Sequence, residues 1–170
     1  MITPEYVQLM ARYNAWQNLS LYNGADRLPD SERKRDCGAF FGSIHGTLCH
    51  LLFGDQAWLH RFTGTTPAPR AKSILESTTA IADWEELKRE RFAFDQVISD
   101  WAQSLDAHAL LGDHTWTSGA MKRDVTRPMG MLVAHMFNHQ THHRGQVHCL
   151  LTQAGIKPED TDIPFMPSLM

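Results

Sequence analysis

The apolar positions of this chain fall into four long stretches with helical period. Tyr6, Leu9, Met10, Tyr13, Trp16, Leu19 and Leu21 recur at roughly three- and four-residue steps, which predicts a first helix over 4–27. Pro4 suits its opening turn, and Leu28-Pro29-Asp30 ends it. Residues 30–40 are polar and charged and read as a loop with one short turn. A second helix is predicted over 43–62. Ser43 caps it, and Ile44, Leu48, Leu51, Leu52, Leu59 and Phe62 form its apolar face. Gly46, Thr47, Gly54 and Ala57 keep the neighbouring edge small. Gly64 to Pro69 opens a linker that runs to residue 82. Asp83 then caps a third helix over 83–105, with Trp84, Leu87, Phe94, Ile98, Trp101 and Leu105 in register. The period changes at 113–127, where Thr115-Trp116-Thr117 and Val125-Thr126 read as two short extended pieces around a turn. The fourth helix spans 128–154, opened by Pro128 and closed by Gly155, with Pro158 barring continuation. The expected fold is all-α, a four-helix bundle with a small extended excursion between helices 3 and 4.

Composition narrows the function classes. The chain has 170 residues, which predicts a single domain over 1–170 with a sizeable core. Its net charge of −3 comes with no Lys/Arg stripe, which argues against a nucleic-acid partner. No basic-then-apolar leader opens the sequence, and no apolar run approaches the roughly 18 residues of a membrane span. The three cysteines, Cys37, Cys49 and Cys149, lack CxxC spacing and read as free thiols in a reducing, cytoplasmic setting. Cys49 and Cys149 fall in apolar helical segments and are expected to be buried.

Histidine is the unusual component. Five of the ten histidines fall within 135–148. His139 and His143 are spaced i, i+4 and share one helix face, so two imidazoles can converge on one divalent ion. His135 and His139 share that spacing, and periodicity alone leaves both pairs open. Three familiar sites are excluded. A zinc-protease helix needs Glu directly after its first His, and Gln140 stands there. A di-iron bundle needs Glu-x-x-His, which occurs nowhere in the chain. A zinc finger needs paired cysteines. A mononuclear, histidine-rich site remains.

The stretch Asn138-His-Gln-Thr-His-His143-Arg-Gly-Gln146 resembles the signature of the DinB/YfiT-like family of metal-dependent bundle proteins. Tyr13-Asn14-Ala-Trp16-Gln-Asn18 is similar to the family's first-helix motif. His50-Leu-Leu-Phe-Gly-Asp55-Gln-Ala-Trp58-Leu is similar to its second-helix motif. The tail, Leu151-Thr-Gln-Ala-Gly155 with Pro158 and Asp162, also fits, so the likeness runs in order along nearly the whole chain. It implies His50, His139 and His143 as metal ligands, an up-down-down-up bundle, and a homodimer. Three imidazoles leave at least one coordination position for water or a thiol. By the same resemblance the expected function is a metal-dependent transferase or hydrolase using a small-molecule substrate or thiol cosubstrate. The rival is a non-catalytic metal- or ligand-binding stress protein. Zn is the expected ion, with Ni or Fe as alternatives.

Four further residues are assigned roles around this centre. Gln146, three residues past His143, is expected to hydrogen-bond a metal-bound water or a ligand imidazole, or else to bond to backbone. His135 is expected to line the pocket. Asp55 is expected to be structural, through an ion pair with Arg144 or a contact with the first helix. Arg144 is expected to pair with an acid. His142 points away from His143 and is read as a bystander.

Overall fold

A computed structural model describes residues 2–119 and 121–168. It is mostly helical. Four long helices, α1 (Pro4–Asp26), α3 (Ile44–Thr63), α5 (Trp84–Ser104) and α6 (Met129–Gln153), carry the core, with short helices α2 (Asp30–Lys34) and α4 (Ile74–Ser77) between them. A two-stranded antiparallel sheet, β1 (Asp113–Ser118) and β2 (Arg123–Pro128), precedes α6, with Trp116 opposite Val125. The helix ends lie where the polar punctuation places them. Ser43 Oγ accepts from Gly46 N, and an Asp83 side-chain oxygen accepts from Glu86 N, each satisfying a first-turn amide. Gly155 follows α6 with φ of +79°, a conformation a side chain would strain.

The stripes meet in one core. Val7, Leu21 and Tyr22 from α1, Leu48, Leu52 and Leu59 from α3, Leu87 and Ile98 from α5, and Met136, Phe137 and Leu151 from α6 are essentially inaccessible. Tyr22 stacks on Trp84 at 5.2 Å, joining α1 to α5. Two departures from the sequence expectations stand out. The 64–82 linker holds α4, capped by Ser73 on Glu76 N. Cys149 is exposed, because it faces outward from α6, whereas Cys49 is buried as expected.

A polar layer crosses this core. The Arg91 guanidinium is 2.7 Å from Asp55 Oδ2 and 2.8 Å from Asp95 Oδ1, and both Arg91 and Asp55 are about fully enclosed. Asn14 and Asn18 donate to Asp95, and Gln140 donates to the second oxygen of Asp55 at 2.9 Å. All four long helices therefore contribute to one set of hydrogen bonds and ion pairs. Buried ions tolerate this only when paired, since an unpaired one costs several kcal/mol. Among the described residues, no helix is long and apolar enough to cross a membrane.

Candidate metal centre

His139 and His143 stand one turn apart on the buried side of α6, with ring centroids 4.4 Å apart. His50, on the facing side of α3, brings its Nε2 within 3.2 Å of His139 Nε2. One nitrogen from each of the three rings lies within 4.8 Å of the other two. Two nitrogens at zinc-like bond lengths on one tetrahedral ion stand about 3.3 Å apart, so the His50–His139 spacing is that of two ligands on one ion. Gly54, one turn after His50, lets the rings approach. A Cβ there would sit 2.8 Å from His139 Cε1, closer than carbon atoms tolerate.

Neighbouring groups decide which ring nitrogens are free. Ser77 Oγ donates to Ile74 O at 2.5 Å, so toward His50 it acts as an acceptor. His50 Nδ1, 3.0 Å away, therefore carries the proton, and its Nε2 lone pair faces the other histidines. His143 Nδ1 lies 2.7 Å from Gln146 Oε1, which only accepts, so His143 is held in the same tautomer. The Gln146 amide nitrogen lies 3.4 Å from His142 Nε2, consistent with that amide orientation. His139 differs: its Nδ1 is buried with no hydrogen-bond partner among the described residues, so only its convergence with His50 and His143 uses its polarity. Residues of this type and placement fit a divalent ion.

The local electrostatics keep the rings neutral. Burial pushes His50 down to about 4, with the charge of His143 adding to the effect. Burial pushes His139 down to about 3, with further lowering from the surrounding histidines. His143 is also lowered by burial, against the opposing pull of its Gln146 bond. Near pH 7 all three are unprotonated, the form that binds metal. The Phe41 ring stacks on His50 at 3.8 Å and lies 5.2 Å from His143, covering one side of the triad.

The other expected site residues separate into two groups. Gln146 orients His143. His135 stays outside the triad, its ring 5.9 Å from His139 and 5.1 Å from Trp58, at the rim. Asp55 and Arg144 need correction, because they do not pair with each other. Asp55 is taken by Arg91 and Gln140. Arg144 is buried over the Tyr13 ring, 5.4 Å from its centroid, and donates to Asn14 Oδ1 instead of an acid. Arg91 reaches Asp55 from α5, which packs against α3, and the pattern of a single helix does not reveal that neighbour. His142 is exposed beside His143. His45 Nε2 and His60 Nδ1 meet the carbonyls of Ile81 and Thr66, away from the triad. Sequence reasoning missed Ser77 and Phe41, which lie in segments without period. It noted Gly54 only as a small residue.

Comparison with known proteins adds a further finding. The DinB family model matches residues 1–169. Protein DinB of Bacillus subtilis (strain 168) is 28% identical over 154 residues, covering 88% of this chain and 87% of that protein.

Proposed function

Since the chain belongs to the DinB family, we propose that it is a divalent-metal protein whose centre serves a metal-dependent transfer or hydrolysis on a small molecule, with Zn as the favoured ion. The observation that carries this reading is the 3.2 Å approach of His50 Nε2 to His139 Nε2, with His50 and His143 both held by their outer nitrogens. A divalent ion there would supply Lewis acidity at a remaining coordination position, toward a thiol or a water. The chain's own residues do the rest. Ser77 and Gln146 hold two imidazoles in the Nδ1–H tautomer and fix their planes. Phe41 keeps water from one side of His50. The ligand set contains no carboxylate, so it offsets none of the ion's charge.

The four long helices are read as an up-down-down-up bundle. Asn14 and Asn18 meet Asp95 while Asp26 meets Lys88, so α1 and α5 run oppositely. His50 meets His143 while Trp58 meets His135, so α3 and α6 run oppositely. Asn14 meets Arg144 while Gly24 faces Leu151, so α1 and α6 run together.

The test is metal analysis of untagged protein, followed by thiol-dependent turnover on a panel of small electrophiles before and after chelation. The expected result is about one ion per chain, lost in His50→Ala, His139→Ala and His143→Ala, with turnover lost on chelation. Full metal content in all three variants would remove the centre. Turnover unchanged by stripping would remove the catalytic reading. The second reading is a non-catalytic metal- or ligand-binding protein. It is favoured by Ser77, the hydroxyl beside His50, being committed to Ile74 O instead of free as a nucleophile.

A further inference from the structure

The α3 stripe that carries His50 and Gly54 continues to Trp58 and then to Arg61. The guanidinium carbon of Arg61 lies 4.6 Å from the centroid of the Trp58 ring. That ring is fixed on other sides: Trp116 of β1 meets it at 5.5 Å, Phe62 at 5.7 Å, and His135 edge-on at 5.1 Å. Arg61 is half-buried, and no hydrogen bond or ion pair engages it among the described residues. Burial alone acts on its ionisation, and no carboxylate opposes that effect. The chain treats its enclosed arginines otherwise. Arg33 donates to carbonyls of Ala25 and Leu28, Arg91 faces two aspartates, and Arg144 donates to Asn14. Arg61 is thus a partly desolvated cation on a rigid aromatic floor with its planar N–H donors unspent.

A contiguous path joins this cation to the triad. The His135 ring touches Trp58 on one side and lies 5.9 Å from His139 on the other. Gly54 marks the level of His139 on α3, and Arg61 lies seven residues further, about 10 Å of helix rise. We propose that Arg61, seated on Trp58 beside His135, is the carboxylate-recognising end of a small-molecule site whose other end is the histidine triad; this rests on the metal-centre reading above. The ligand class is an organic carboxylate that carries a thiol or other metal-binding group at its far end. Helix placement offers a simpler role, since a cation in the last turn of α3 complements the helix dipole. That role requires charge alone and Lys fills it equally. Paired N–H donors to a carboxylate require Arg.

The probes are 6-mercaptohexanoate and its neutral counterpart 6-mercaptohexanol, titrated calorimetrically into metal-loaded and metal-free protein. Wild type is expected to bind the acid about tenfold more tightly than the alcohol. Arg61→Met should abolish that preference and Arg61→Lys should recover only part of it, while the alcohol's affinity, metal content and thermal midpoint stay unchanged. Equal affinities for the two probes in wild type, no binding of either, or full preference in Arg61→Lys would overturn the proposal. The metal reading fails separately. If purified protein holds no ion and each thiol binds as tightly without added metal as with it, the triad is not the second end, and the acid-over-alcohol ratio still decides the role of Arg61.

Discussion

At the scale of single residues, the centre depends on what Gly54 lacks. Gly54→Ala adds a methyl group 2.8 Å from His139 Cε1, and the imidazole, as the far end of a flexible side chain, is what yields. Inside a helix the same change is worth up to ~1 kcal/mol in intrinsic propensity. The variant is therefore expected to fold with an unchanged or slightly raised thermal midpoint and to bind metal at least tenfold more weakly. Denaturation and metal titration of one preparation check both. Protonation gives a second prediction. His50 and His139 titrate below their unfolded value of about 6.5, so the unfolded chain binds more protons than the folded one between those limits. Their neutral burial is thus favourable above pH 6.5. Stability of metal-free protein should fall as pH drops from about 6.5 toward 4 for His50, and on toward 3 for His139, by roughly 1.4 kcal/mol per unit for each fully titrating ring. Urea midpoints across pH 4–8 check the sign. Metal affinity should fall over the same window through proton competition.

At the scale of elements, the short helix α4 matters more than its length suggests. It delivers Ser77, fully buried, to His50 Nδ1. Ser77→Ala leaves the Nδ1–H without an acceptor and the ring free to turn. A loss of ten- to a hundredfold in metal affinity is expected, the size seen when the outer partner of a metal-bound imidazole is removed, with α-helix content unchanged. Gln146→Ala should do the same through His143, and circular dichroism with metal titration distinguishes both from unfolding. The contrast between these partners explains what the sequence could show. Gln146 sits three residues from His143 on the same helix, so helical spacing alone puts it in reach. Ser77 is 27 residues from His50 in a linker without period, and only the folded path of that linker brings it there. The long helices were legible because Ser43, Asp83, Pro128 and Gly155 mark their ends chemically.

At the scale of the whole molecule, the Asp55–Arg91–Asp95 set ties the metal-bearing helices to the other two. Asp55 lies on α3 between Gly54 and Trp58, and Gln140, which holds its other oxygen, directly follows His139. The position where a protease would carry its catalytic Glu thus serves as a strut. Arg91→Ala leaves two buried carboxylates without the cation that both of them contact. A loss of about 3–5 kcal/mol in unfolding free energy is expected, read from urea titration. Metal should recover part of it, because an ion that binds only the folded form stabilises by mass action.

The sequence by itself determined the four helices, the hairpin and the pair His139/His143 with its rival His135/His139, because these follow from spacing along one element. Through resemblance it also pointed to His50. The tertiary structure decided how those parts meet: the Nε2 contact across α3 and α6, the acceptor that Ser77 offers, Arg91 in place of Arg144 as the partner of Asp55, and the isolated cation on Trp58. Periodicity reports which face of a helix is apolar, but the polar partner of a buried group is fixed by whichever neighbouring helix packs against it, and that neighbour is distant in sequence.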